Sequence, residues 1–430
     1  MIQTAPAAAR PQPNVDSDYD VVVIGAGPAG STVAALTAEY GHKVLVLDRS
    51  MFPRFHVGES LIPECYWPLK RLGLLDRLRE SAFPKKYSVQ FYSNGEKASA
   101  PFYFHMHNDH ECSQTWQVIR GEFDDMLLDK ATENGATCHT AAHVMDVVFE
   151  GDQAVGVKVK LTNGDKKETR EIRSRIVVDA TGQSAFIASR LGLKDTDTRL
   201  KKGTIWTYWK GAKRDLGKDE GATLILQTQG KKSWFWYIPL PNDVVSVGCT
   251  GSMPYMFNKD RGDAASVYDE ELARCPELQM RLKDAQRCSD HFTTKDYSYY
   301  SKQAAGPGWV LVGDAFGFID PVYSSGVFLA LKSGEFAADA IHDSLERNDL
   351  SASRLSTWHR TYKEGVEHFR KLVYAFYAPD FSFGHFLKKH PEYKGHLVDV
   401  LIGDVFKPGV GDMFEAMGNI MPPPDVPDER

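Results

Sequence analysis

The sequence predicts an α/β protein with a Rossmann-like dinucleotide-binding domain, an inserted antiparallel β-sheet domain on the substrate side and a C-terminal helical region. Three observations carry that expectation. The first is the stretch Asp20 to Asp48, DVVVIGAGPAGSTVAALTAEYGHKVLVLD. Val21 to Ile24 is a short β-branched run, as a strand buried on both faces requires. Gly25, Gly27 and Gly30 follow at the G-x-G-x-x-G spacing, a helical pattern begins, and a second apolar run, Val44 to Leu47, ends in an acid. Gly25 allows a tight turn, Gly27 lets backbone approach a pyrophosphate, and Gly30 lets helix pack on strand. Asp48 is placed to accept ribose hydroxyls. These residues alone leave FAD and NAD both open.

The second observation is a change of texture. From about residue 200 to 290 the chain offers short strands rich in Trp, Tyr and Thr: Thr204–Trp209, Thr223–Gln227, Ser233–Ile238 and Val244–Cys249. The third is the return of an apolar strand, Trp309–Val312, that ends at Gly313-Asp314 and leads through Ser324-Ser325-Gly326 into a helix. Asp314 at a strand end suits a ribityl or ribose hydroxyl, and the N–H groups near Ser325 and Gly326 suit an anion or a flavin edge. The expected domains are therefore discontinuous. Residues 18–92, 113–198 and 296–345 form the cofactor-binding part, 93–112 and 199–295 the sheet on the substrate side, and 346–430 a helical cap. Residues 1–17 are expected to be a disordered tail without a signal-peptide core.

Composition narrows the function classes. The net charge of −6 gives no reason to expect nucleic acid or an anionic membrane as partner. No apolar run approaches the ~18 residues of a membrane-spanning helix. Six cysteines without a C-x-x-C pair read as reduced thiols of a cytoplasmic protein.

Between the two cofactor segments, Arg49 follows the ribose acid and either reaches the cofactor or stands solvated. Gly58-Glu59-Ser60 reads as a turn opening a helix, with Leu69, Leu72, Leu75 and Leu78 at helical spacing. In the next strand, alternation sets Lys86, Ser88 and Gln90 on one face and Tyr87, Val89 and Phe91 on the other, so that Lys86 taken alone reads as a solvated lysine. His105, His107, His110, Glu111 and Cys112 lack a second ligand group at fixed spacing, so an exposed loop is expected rather than a metal site. Arg120 precedes a helix with Phe123, Leu127 and Ala131 on its core face, where a guanidinium can grip a phosphate bidentately. Val144 to Arg173 reads as a hairpin sheet with turns at Gly151-Asp152 and Asn163-Gly164.

The glycine fingerprint, Arg120 with Phe123-Asp124, and Gly313-Asp314 with Asp320-Pro321 occur in one order that resembles the FAD-dependent hydroxylase superfamily built like p-hydroxybenzoate hydroxylase. Within it, Trp234-Phe235-Trp236-Tyr237-Ile238-Pro239 fits W-x-W-x-I-P, which resembles the flavin-dependent halogenases of secondary metabolism. Strand periodicity puts both indoles on one face. The resemblance implies FAD with its pyrophosphate on Gly25, Gly27, Ala29 and Gly30, its ribose at Asp48, Arg49 at an adenine or phosphate edge, Arg120 near the phosphates, Asp314 near the ribityl chain, and Gly313 and Gly326 beside the cofactor. It further implies that Trp234 and Trp236 screen the flavin from organic substrate. A lysine followed five residues later by phenylalanine is a second family feature, fitted by Lys86 and Phe91, with Lys85 the adjacent competitor. That makes Lys86 the implied catalyst.

The same resemblance implies the chemistry. Reduced FAD arrives from a separate flavin reductase, chloride or bromide sits on the N–H groups of Ser325 and Gly326, and hypohalous acid travels to Lys86. There it halogenates an electron-rich aromatic ring, free or tethered to a carrier protein. Tryptophan halogenases carry a glutamate where this chain has Tyr323, so a phenol or pyrrole is implied rather than free tryptophan. The rival expectations are an aromatic monooxygenase that consumes NAD(P)H itself and a geranylgeranyl-reductase-like flavin oxidoreductase.

Overall fold

The structure is a computed structural model that describes residues 12–95 and 97–422. Two large sheets organise it. The first has eight strands, and its parallel backbone runs in the order Trp309–Leu311, Lys166–Asp179, Asp18–Ile24, Val44–Leu47, Thr137–His139. Val21, Val22 and Val23 in its central strand are completely buried, the pattern of a strand covered by helices on both sides. The sequence order reverses direction across that strand, which opens a crevice at its carboxyl end. Gly25 sits in this crevice.

The glycine helix Pro28–Glu39 fills the space above the crevice and is buried from Pro28 to Ala38. Gly25 has φ +103°, and a β-carbon there would lie 2.3 Å from the Ala180 carbonyl oxygen. A β-carbon on Gly30 would lie 2.0 Å from the Gly25 carbonyl oxygen. Neither position admits another residue without moving backbone. The long helix Gly326–Glu346 crosses the glycine helix at Gly334, where a β-carbon would come within 2.8 Å of the Ala29 carbonyl oxygen.

The second sheet has ten strands, mostly antiparallel. Its centre is the ladder of Lys194–Lys210, Val244–Ser252 and Ser233–Leu240. The tryptophan strand Ser233–Leu240 is buried at all eight positions and divides two cores by its pleat. Trp234, Trp236 and Ile238 face the larger core, shared with the first sheet and the C-terminal helices, while Phe235 and Tyr237 face a smaller core under Ala264–Ala273 and Pro276–Leu282. Helices from Ala352 to Met417 complete the chain. Helix His359–Tyr377 lays Tyr362, Val366, Phe369 and Val373 against the larger core.

Several boundaries differ from the sequence expectation. Strand Ser88–Ser93 pairs in parallel with Thr223–Gln227 and so lies in the second sheet, which the boundary at 92 cuts. The boundaries at 198 and 295 likewise cut the continuous strands Lys194–Lys210 and Phe292–Ser301, because side-chain texture changes before the hydrogen-bonded ladder does. Gly58-Glu59-Ser60 opens no helix. Ser60 bridges to Gln117, helical turns start only at Pro63, and Gly73 with φ +69° separates the two short helices carrying the leucines. Of the expected tail, residues 12–17 are held on the first sheet. Val15 is buried, Arg170 donates to its carbonyl, and Arg173 N donates to the Ser17 carbonyl. Residues 1–11 lie outside the described residues.

Candidate active site

The crevice holds the groups expected for a dinucleotide. Asp48 closes the glycine loop: its Oδ2 accepts from Ala26 N at 2.8 Å and its Oδ1 from Ser50 N at 2.8 Å. Each carboxylate oxygen keeps a second lone pair for a hydroxyl. Arg49 is exposed beside it. A β-carbon on Gly27 would meet only Arg54 Nη2, at 3.5 Å, so the face beside it is open while those of Gly25 and Gly30 are filled. Pro28 has no N–H and Ser31 N donates to the Gly27 carbonyl, so Ala29 and Gly30 carry the first-turn N–H groups without an intrahelical acceptor.

Arg120 corrects the sequence expectation. Its Nε and Nη2 fork onto Asp124 at 2.8 and 3.0 Å, and Nη1 donates to the Val57 carbonyl at 2.8 Å. The two residues stand four apart on one helix and are both buried, so each charge takes the other as partner and the fork is no longer free for a phosphate. Arg120 instead props the Gly58 turn. Arg54, which sequence reasoning passed over, is the guanidinium beside Gly27. Its buried Nη1 is 3.2 Å from Asp124 Oδ2 as an ion pair but has no hydrogen bond among the described residues. The atom beside Gly27 is Arg54 Nη2, which a pyrophosphate there would meet. Asp124→Ala should destabilise the fold by about 3–5 kcal/mol, because it strands the buried Arg120 charge. Urea unfolding of the two proteins would measure the loss.

Asp314 lies where the third segment re-enters the crevice. Tyr299 OH donates to its backbone carbonyl at 2.6 Å, and Gly313 N donates to Ser333 Oγ at 2.9 Å, which docks this turn on the long helix. Ser325 precedes the first turn of that helix, and a β-carbon on Gly326 would meet nothing within 4 Å. Tyr323 is buried, and burial raises its hydroxyl pKa well above the ordinary value, so it carries no charge in place of a glutamate.

The two lysine candidates separate. Lys85 is exposed, whereas Lys86 is 2% exposed. Lys86 Nζ donates to Ser60 Oγ at 2.8 Å and to the Leu61 carbonyl at 2.9 Å. Ser60 Oγ in turn lies 2.9 Å from Thr223 Oγ1, to which Gln117 Nε2 donates. Every one of these partners is neutral. Desolvation therefore dominates and lowers the Lys86 pKa to about 7. A solvated lysine, the reading from alternation alone, is not what the fold makes of it.

Trp234 and Trp236 stand with ring centroids 6.2 Å apart. Trp234 Nε1 donates to Tyr377 OH at 2.8 Å, and Tyr377 OH donates to Asp320 Oδ2 at 2.9 Å. Phe376 touches both Trp234 and Tyr323 edge-on, at 6.1 Å in each case. The end of helix His359–Tyr377 thus joins the indoles to the Asp320–Gly326 loop. Trp236 lies flat on Gly248 and donates to Ser246 Oγ at 3.1 Å. Ser246 is the cross-strand partner of Tyr208, whose hydroxyl donates to buried Glu59 at 2.7 Å. Glu59 adjoins Ser60, the partner of Lys86. Tyr208, Ser246 and Tyr377 were not singled out from the sequence, and Glu59 was read only as part of a turn, since no spacing announces contacts over such separations. In the histidine loop, His107 pairs with Asp399, His110 stacks on Trp67, and Glu111 pairs with Tyr66 and Arg79.

A parallel crevice with a glycine cradle is the architecture of a dinucleotide-binding protein, and the second sheet beside it carries paired indoles and a buried lysine. Comparison with known proteins specifies its class. The model of the family described as tryptophan halogenase matches residues 20–122 and 105–381. The chain is 30% identical over 431 residues to a 1H-pyrrole-2-carbonyl-[peptidyl-carrier protein] chlorinase of Pseudomonas fluorescens, covering 94% of each chain. It is 31% identical to the corresponding brominase of Pseudoalteromonas luteoviolacea, over 90% of this chain and 92% of that one. Among solved structures, the flavin-dependent brominase Bmp2 superposes with a TM-score of 0.81 at 29% identity, over 91% of this chain and 94% of that one. The myxobacterial chondrochloren halogenase CndH superposes with a TM-score of 0.78 at 34% identity, over 84% and 83%. The chain belongs to the tryptophan halogenase family, and it is a flavin-dependent halogenase that uses FAD and a halide. A geranylgeranyl bacteriochlorophyll reductase-like protein from Thermoplasma acidophilum, 23% identical with a TM-score of 0.63, shares the fold alone.

Proposed function

We propose that this enzyme chlorinates or brominates a pyrrole or phenol ring presented at Lys86, with a pyrrole-2-carbonyl group on a carrier protein as the leading substrate. The observation that carries the proposal is the environment of Lys86: a buried amine on neutral partners with its pKa brought to about 7. Such a lysine is part donor and part nucleophile at neutral pH, so it can hydrogen-bond hypohalous acid or accept its halogen and aim it at carbon. Bound FAD, delivered reduced by a separate flavin reductase, supplies the oxygen chemistry that oxidises the halide. Gly25, Gly27, Ala29 and Gly30 would hold its pyrophosphate with Arg54, Asp48 its ribose, and Asp314 its ribityl chain. The N–H groups at Ser325 and Gly326 would hold the halide. Trp234 and Trp236 would keep organic substrate away from the flavin, and the buried walls would keep hypohalous acid from escaping to water. The two relatives that match end to end and act on carrier-bound pyrrole support the substrate assignment. The sulochrin halogenase of Aspergillus terreus, 31% identical but matched over 70% of its length, supports free phenols as the second class. Six free cysteines fit a reducing compartment, the cytoplasm.

The test is mass spectrometry of products formed with FAD, NADH, a flavin reductase and either halide. Pyrrole-2-carbonyl carrier protein, free pyrroles and free phenols form the panel. A mass gain of one halogen on the carrier-bound pyrrole is expected, and halogenation of free phenols alone would overturn the tethered assignment. A companion prediction concerns the reductant. Without the reductase the purified protein should oxidise NAD(P)H negligibly, and absorbance at 340 nm, the reduced nicotinamide band, reads this. Fast substrate-stimulated oxidation would favour a self-sufficient monooxygenase.

A further inference from the structure

A group of side chains far from the flavin crevice has the composition and geometry of a metal site. His42 precedes strand Val44–Leu47, and His342 and Glu346 stand one turn apart on the long helix Gly326–Glu346. Their ligand atoms all lie within 4.8 Å of one another, and no other group of three such ligands does so among the described residues. His42 Nε2 and His342 Nδ1 face each other at 2.9 Å. The second ring is held in place. Tyr40 stacks on it at 4.1 Å with 12° between planes, and Tyr40 OH is fixed by Asp339, which Arg71 pairs. Asp20 and Glu346 bring negative charge to His42 and offset Arg175 nearby.

We propose that His42, His342 and Glu346 bind one transition-metal ion of the zinc(II) class, with water completing the coordination. Two imidazoles and one carboxylate suit zinc, whereas the oxygen-preferring magnesium and calcium would not select them. Bonds of the usual length place tetrahedral donors about 3.3 Å apart, so the two nitrogens need only part by a few tenths of an ångström. The helical i, i+4 spacing already puts Glu346 on the side of His342, and its exposed carboxylate is free to turn. In the neutral pair one ring N–H points at the other ring's lone pair. On metal binding that proton moves to the far nitrogen of its own ring, so both facing nitrogens become ligands without a change of net protonation.

The ion would tie the turn before Val44 to the C-terminal half of the long helix. That place is about 24 Å along the helix from Gly326, so the effect falls on stability rather than on halide chemistry. The test uses the untagged full chain, stripped with chelator, titrated with zinc alone in a calorimeter and with cobalt(II) followed by visible absorption. Saturable binding at one ion per chain is expected, with the absorption of a four-coordinate cobalt site. Glu346→Gln, which changes only an exposed side chain, and His342→Ala should each weaken binding at least about tenfold, while His105→Ala in the exposed loop should not. Zinc in excess should raise the thermal midpoint by roughly a few degrees in the parent and not in His342→Ala. Absence of a saturable one-to-one site, or equal affinity in Glu346→Gln and His342→Ala, would overturn the assignment. FAD content, measured beside each titration, keeps this result separate from the halogenase reading.

Discussion

Lys86→Met is expected to lose halogenated product by at least about a hundredfold, the range removed with a positioned acid–base or nucleophilic group. FAD binding and release of hypohalous acid should persist, because the hydrogen bonds of Lys86 go to Ser60 and Leu61 and not to the glycine cradle or Asp314. Trapping hypohalous acid with a thioether scavenger, beside product mass spectrometry, separates the two activities. Lys85→Ala, at the exposed neighbouring position, should keep most of the product, and the reverse outcome would displace the catalyst by one residue. The same substitution carries a stability signature. Unfolded Lys86 holds its proton up to its ordinary pKa of 10.5, whereas the folded amine releases it at about 7. Between these values the unfolded chain binds more protons, so stability rises with pH across that window. Below about pH 7 the penalty is complete, of order 5 kcal/mol. Methionine removes it, at the cost of two hydrogen bonds. Lys86→Met should therefore melt higher than the parent at pH 6, and the gap should close as pH approaches 10. A gap independent of pH would mean that the amine is charged and solvated in the folded state.

Opening the indole wall is expected to lower halogenated product per reduced flavin several-fold and to raise hydrogen peroxide in proportion. The fold dictates the variant. Trp234 and Trp236 belong to the larger hydrophobic core, at 3% and 8% exposure, so each change to alanine would cost roughly 3–5 kcal/mol and would lose activities through unfolding. Phenylalanine keeps most of the volume while freeing the space of one ring and the indole N–H. In the Trp234→Phe Trp236→Phe double variant, Tyr377 loses the donor that ties it to the tryptophan strand, and Ser246 loses its donor from Trp236. Peroxide yield and product yield are measured per flavin reduced, and a thermal melt confirms that the variant is folded. A folded variant with unchanged coupling would remove the indoles from the chemistry and leave them as core.

The sequence by itself determined the dinucleotide cradle, because that job is local. A strand, a turn with φ +103° at Gly25 and a helix within thirty residues bring Gly25, Gly27, Gly30 and Asp48 together, and Ala180, just past the neighbouring strand, only closes over them. The pleat of a single strand likewise determined that Trp234 and Trp236 share a face, since alternation needs no partner. What only the tertiary structure decided is the electrostatic state of each charged group. Arg120 and Lys86 have equal formal charge in the sequence. Folding pairs the first with Asp124 and surrounds the second with neutral oxygens, and that difference makes one a prop and the other a half-neutral amine. Burial and partner charge depend on chain segments far apart: Ser60, Thr223 and Gln117 around Lys86, Tyr377 and Asp320 behind Trp234, His342 opposite His42. Periodicity reports which way a side chain points from its own element. Only the packing of distant elements determines what it then meets, and the energy of a charge depends on that meeting.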